Sequence, residues 1–213
     1  KEYSPALPSQ SLYPFLDTQT IHATFISLPG HPNNPRNFWR KITNSIWRKQ
    51  LLAMTVPRRE IVQEDLVGYY HCSARCVRRA FLCGKDPYSG RDFNHRKQWI
   101  RQRLKFLVEV FAMDLAGFGV MDNHLHTLIS NRPDLAASWS ADEVARRWRT
   151  LFPFRYEQGR PAEPNELEIK NITSQPHLVR EYRRRLSSIS WFHRCLNEHI
   201  AKMANAEDDC TGR

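Results

Sequence analysis

The sequence predicts an α+β domain, an antiparallel sheet covered by helices. Three observations carry this. GYYHCSARCV, residues 68–77, has the aromatic and alternating character of a strand. DLAGFGVM and HLHTLIS, residues 114–121 and 124–130, read as two strands joined by a tight connection. Helical periodicity lies between the first strand and this pair, and twice more after it, so the order is strand, helix, hairpin, helix, helix.

The elements follow in chain order. Residues 1–53 are rich in Pro, Ser and Asn and show little periodicity beyond a short helix in PRNFWRKITNSIWRKQLLAM. They read as a poorly ordered extension. The folded domain is expected to span residues 54–213, beginning near Met54 and truncated at its C-terminal end. FLCGKDPYSGRD is a loop, marked by Gly, Pro and Asp. NHRKQWIRQRLKFLVEVFAM is a helix, with Ile100, Leu104, Leu107, Val108 and Phe111 at helical spacing. Arg96, Arg101, Arg103 and Lys105 occupy its other faces. Met121, Asp122 and Asn123 connect the two hairpin strands. Ser140 opens the next helix with a capping box, Ser140-x-x-Glu143, and Val144, Trp148 and Leu151 form its stripe. FPFRYEQGRPAEPNE is a loop with three prolines. One long final helix is expected from about His177 to Met203, with Leu178, Tyr182, Leu186, Ile189, His193, Leu196 and Ile200 along one side. No internal repeat is found.

Composition narrows the partner. The 213 residues carry a formal charge of +10. A basic excess of this size favours a polyanion, above all nucleic acid, over a membrane surface. No apolar stretch approaches the length needed to span a bilayer, and the start, KEYSPALPSQ, lacks the apolar run of a secretory signal. The five cysteines, Cys72, Cys76, Cys83, Cys195 and Cys210, are odd in number and scattered, against a disulfide framework and for a reducing cytoplasm. His71, Cys72, Cys76 and Cys83 can be read as a zinc cluster, but their spacing matches no common zinc motif, and buried thiols explain the cysteines better.

His124 and His126 stand in the apolar run GVMDNHLHTLISN. Alternate residues of a strand share a face, so both imidazoles point one way and Leu125, Thr127 and Ile129 the other. Two neutral imidazoles side by side can hold one divalent ion, with a third ligand from a neighbouring element. The structural alternative is a pair of partly exposed strand histidines. The spacing alone favours that alternative; the basic charge and the strand setting raise the metal reading.

DLAGFGVMDNHLHTLIS resembles the histidine strand of the HUH single-tyrosine transposases, the insertion-sequence-two-hundred class, and within it the REP-associated tyrosine transposases. YYHCSARCVRRAFL resembles the first strand of that family, with its His and downstream Arg, and the terminal CTGR resembles the start of a TGR-aromatic-x-GR stretch. The resemblance spans about residues 57–213. It implies a ferredoxin-like fold, the HUH endonuclease core, with a divalent ion, Mg²⁺ or Mn²⁺, on His124 and His126. It implies cleavage and rejoining of single-stranded DNA through a 5′-phosphotyrosine, with no nucleotide cofactor. The partner would be single-stranded or hairpin DNA, the protein a monomer or homodimer, its place the cytoplasm at the nucleoid.

The nucleophile departs from the family pattern, a Y-x-x-Y-F-N motif on the helix after the histidines. Aligning Asn197 with its last residue gives FHRCLN, with Phe192 and Cys195 where tyrosines are expected. Tyr182, in VREYRRR, is the nearest helical tyrosine, and its arginine neighbours would favour the phenolate. The alternative is an aromatic packed on the core stripe. Tyr156 lies in the Pro-rich loop and is a weaker candidate. His193, Asn197, Glu198 and His199 are candidates for the third ligand. Arg78, Arg79, Arg101, Arg103, Arg146, Arg147, Arg183, Arg184 and Arg185 are expected to contact DNA, each alternatively part of a solvated face. Trp99, Trp148 and Trp191 are candidates for stacking on unpaired bases, against a core role. Three functions remain open: an active transposase, a relative that binds a DNA hairpin without cutting, and a metal enzyme acting on small substrates, which the charge disfavours.

Overall fold

The computed structural model describes residues 61–75, 82–87, 89–158 and 160–209, and the backbone of 22–26. Four strands form one sheet: β1 (His22–Ile26), β2 (Gly68–Arg75), β3 (Met113–Val120) and β4 (His124–Asn131). Their order is β1-β2-β4-β3, with every neighbouring pair antiparallel. Between β2 and β3 runs α1 (Arg96–Val110). Strand β4 lies between β2 and β3, so β2-α1-β3 is a split β-α-β unit whose gap is filled by the second strand of a hairpin. The protein is therefore α+β with an antiparallel sheet, as expected. Strand β1 falls within the segment set apart as an extension.

Helices α2 (Pro133–Ser138), α3 (Ala141–Leu151), α4 (Glu166–Thr173), α5 (Pro176–Leu186) and α6 (Ile189–Glu207) follow, with a small hairpin, β5 (Tyr156–Glu157) and β6 (Arg160–Pro161), between α3 and α4. Helix α6 packs on α1 and reaches the sheet, where His193 Nε2 lies 3.3 Å from Thr127 Oγ1. Tyr70, Cys72 and Ala74 of β2 and Leu125, Thr127 and Ile129 of β4 are buried beneath these helices. Leu104, Leu107, Phe192 and Leu196 are almost wholly buried on the helical side. Each such side chain contributes about 1.5–3 kcal/mol by leaving water. The intervening strand residues point to the opposite face, which is partly exposed at His71, Ser73, His124 and His126 and buried at Leu128 and Ser130.

Caps set several helix starts. Ser140 Oγ accepts from Glu143 N at 3.1 Å, as its sequence position predicts. The reciprocal half of the box is replaced by an ion pair, because Glu143 Oε1 accepts from Arg147 Nε. Asn165 caps α4 in the same way, accepting from Glu168 N at 2.8 Å. That helix and the β5–β6 hairpin were not foreseen.

The single long final helix is corrected to two. The Leu186 carbonyl accepts from Ala112 N at 2.9 Å, a bond from the end of α1 to the end of α5. Ser187 then folds its hydroxyl back onto Arg184 O at 3.1 Å, and Ser188 Oγ donates to Glu64 Oε1 at 3.2 Å. A tertiary bond and two serines thus end α5 where the apolar period runs on unbroken.

One glycine positions the turn before the histidines. Gly84 has φ +84°, and a Cβ there would fall on the Asp122 carboxylate. Its neighbour Cys83 N donates to Asp122 O at 2.9 Å, and Lys97 Nζ lies 3.1 Å from Asp122 Oδ1. The loop of residues 82–87 and the start of α1 therefore both hold the β3–β4 turn.

Candidate functional site

Strand β4 turns His124 and His126 to the open face, with ring centroids 6.2 Å apart. Pairing sets their neighbours. His126 lies opposite Ser73 on one side and Gly119 on the other, and His124 lies opposite Arg75. A Cβ at Gly119 would meet no atom within 4 Å, so the space beside His126 is open. His71, two residues before Ser73, reaches across to His126. Its Nε2 lies 3.0 Å from His126 Nδ1, with the rings nearly parallel at 5°. Arg75 Nε donates to His124 Nε2 at 2.8 Å. A guanidinium only donates, so this His124 nitrogen is the unprotonated one and the proton of the neutral ring sits on Nδ1. The face thus gathers three imidazoles and one guanidinium from the two central strands.

Burial, and then the charge of His126, holds the His71 pKa below its ordinary value. Burial, and then His124, does the same for His126. Both shifts favour neutral rings, the form that binds a metal. The fit to Mg²⁺ or Mn²⁺ is a two-donor fit. Among the described residues no group of three or more His, Cys, Asp or Glu is arranged to hold a metal ion. Both ions prefer oxygen, so phosphate and water would have to complete the shell. His124 would ligate through Nε2 only after Arg75 had released it.

The proposed third ligands are not brought to this face. Asn197 and Glu198 lie on α6, beneath the sheet, and Glu198 pairs with Lys202 Nζ at 2.8 Å. His193 faces Thr127, which points away from His124 and His126. His199 shares that helix, and burial, Arg103 and Lys202 lower its pKa.

Tyr182 is likewise held elsewhere. It stacks on Trp148 of α3 with centroids 4.0 Å apart at 6°, against the helical side of the core. Phe192 is buried edge-on to Phe111, and burial pushes the Cys195 thiol up to about 11. The two positions where the family motif places tyrosines are therefore core positions here. Tyr156 is exposed on β5.

The arginine runs divide. Arg147 caps α1 by donating to Glu109 O (2.7 Å) and Val110 O (3.0 Å), and it lies over Trp139. Arg183 donates to Ala136 O and Trp139 O at the end of α2. Arg184 and Arg185 both pair with Glu181, and Arg185 lies over Trp191. Arg103 is half-buried over Phe106, near Cys195 O. Arg101 and Arg146 are exposed. Arg78 and Arg79 lie outside the described residues, as do Met54, Cys76 and Cys210. The zinc reading fails on geometry, because Cys72 is buried on the core face and His71 points to the other. Trp148 is core, and Trp99 and Trp191 pack against it.

Sequence reasoning missed Arg75 as the partner of His124. The available signal was spacing: Arg75 follows His71 by four residues, hence shares its strand face. Among the described residues no helix is long and apolar enough to cross a membrane. No family model, curated protein or solved structure matches the chain.

Proposed function

We propose that this protein is a DNA transposase of the HUH single-tyrosine kind, which binds single-stranded or hairpin DNA and cuts and rejoins it. One observation carries the reading: His71, Arg75, His124 and His126 converge on the open face of the two central strands. The split β-α-β unit supports it, because a ferredoxin-like core begins with that arrangement.

His124 and His126 would hold Mg²⁺ or Mn²⁺, which when bound polarises the scissile phosphate. His71 keeps the His126 ring oriented through the shared hydrogen bond. Arg75, once released from His124, offers a fork of N–H donors to a phosphate oxygen. A tyrosine oxygen attacks phosphorus, forms the 5′-phosphotyrosine and releases a 3′-OH, and a second 3′-OH reverses the step. Tyr182 can serve only by leaving its stack on Trp148 or by reaching the face from another copy of the chain.

That stack favours a second reading, a relative that binds a DNA hairpin without cutting it. Labelled hairpin DNA with Mn²⁺ separates the two. A covalent protein–DNA band supports cleavage, and peptide mapping of the adduct tests Tyr182. A mobility shift without that band supports binding alone, and neither signal sinks both. His124→Ala is expected to abolish the covalent band at an unchanged melting temperature, because the residue is only half-buried. Equal cleavage by this variant would remove the histidine site from the mechanism.

A further inference from the structure

A line of aromatic contacts runs from the core to the surface on the helical side of the molecule. Trp148 meets Phe152 at 4.7 Å, and the chain then continues into Phe154 and Tyr156. Phe152, Phe154 and Tyr156 stand at alternate positions and are 38%, 73% and 64% exposed. Three large rings left to water in five residues form an apolar patch that folding alone does not explain.

The segment is fixed. Arg155, between the exposed rings, bonds Glu168 Oε1 (2.7 Å), Glu157 Oε1 (3.1 Å) and Glu163 O (2.9 Å). Pairing of Tyr156 with Pro161 closes the hairpin behind it. The rings are thus presented by a braced loop, which lowers the ordering cost of a ligand laid on them.

A cation stands beside them. The Arg149 guanidinium lies 5.6 Å from the Phe154 ring, and its Nε is buried without a hydrogen-bond partner among the described residues. Among those residues Arg149 has no carboxylate partner, unlike Arg155. Flat apolar faces beside an uncompensated guanidinium match one chemistry closely: a stacked nucleobase and its phosphate.

We propose that Phe154 and Tyr156 form a stacking platform for unpaired DNA bases, with Arg149 neutralising an adjacent phosphate. The platform rests on the DNA-binding reading above, but it uses the helical side rather than the histidine face. It would hold unpaired DNA that the sheet does not touch.

The test is fluorescence anisotropy of a short labelled oligo-dT with the full chain, in EDTA, so that cleavage plays no part. Phe154→Ala and Tyr156→Ala should each weaken binding by roughly tenfold, since one stacked base is worth about that factor. Phe154→Trp should retain affinity and Phe154→Leu lose it, which separates stacking from mere apolarity. Arg149→Gln should reduce the salt slope by about 0.7, the release expected for one single-strand phosphate contact. Circular dichroism should be unchanged, because the rings are exposed. Loop variants that bind within about twofold of the parent overturn the platform while sparing the DNA-binding reading. A parent chain that does not bind oligo-dT at all overturns both.

Discussion

Arg183 looks in the sequence like part of a phosphate clamp, yet its Nη1 donates to three carbonyl oxygens, of Ala136, Ala137 and Trp139. These oxygens lie at the C-terminal end of a short helix, where carbonyls run short of intrahelical donors, although Ala136 O also accepts from Trp139 N at 3.4 Å. Arg183→Ala should therefore cost about 1.5–3 kcal/mol, the worth of charge-assisted hydrogen bonds, and lower the melting temperature by several degrees. It should leave the salt slope of DNA binding unchanged. A flattened slope at an unaltered melting temperature would return the residue to the DNA surface. The contrast with Arg149 explains why a run of arginines is hard to read. Both lie beside aromatics on helices, and only the fold decides which guanidinium meets carbonyls. His124 and His126 were legible because period two depends on local backbone alone. Arg75 as their neighbour depends on the register of two strands far apart in the chain.

Helices α1 and α6 are joined at one end by a buried arginine. Arg96 is 2% exposed, lies over Phe93, and donates to Glu207 Oε2 and Asp208 Oδ1, each at 2.6 Å. Arg96→Ala should destabilise by about 3 kcal/mol, the low end for a broken buried pair because both carboxylates keep some contact with water. Urea unfolding at constant m value would measure it, and a change below about 1 kcal/mol would show the pair to be incidental. On α5, hydrogen bonds from Arg184 and then Arg185 hold the Glu181 carboxyl below its ordinary pKa. A depressed folded pKa gives stability that is present above the unfolded glutamate value and lost as pH falls through the folded one. Melting temperature should thus drop more steeply in the parent than in Glu181→Gln as the pH is lowered from about 5 to about 3. Parallel curves would refute the linkage. The elements themselves were largely legible, because α1 and α3 carry a local apolar period and Ser140 a local cap. The end of α5 was not. Tyr182, Leu186, Ile189 and His193 keep the helical period through the break, which is made by Ala112 N, a group no local pattern can see.

The sheet has a helical side that is packed and a histidine side that is partly exposed around His71, Ser73, His124 and His126 but buried at Leu128 and Ser130. This division follows from alternation in β2 and β4 and was legible in outline. The strand at the β2 edge was not, because His22–Ile26 lies in a segment without strong period and gains its structure by pairing with residues 69–73. A chain begun at Met54 would lack β1 and leave the β2 backbone groups unpaired along that edge. It should melt at a lower temperature and associate with rising concentration in size-exclusion chromatography. An unchanged melting temperature and a constant elution volume would show that β1 adds nothing. The inserted position of β4 bears on the order in which the chain assembles. Strand β2 lacks its inner partner β4 until the chain beyond α1 has formed, whereas the β3–β4 hairpin needs only a three-residue turn. Closing the short loop first costs little entropy, and β2 then docks across the length of α1. Weakening the hairpin should slow refolding, while loss of β1, added at the outer edge of a sheet already formed, should mainly hasten unfolding.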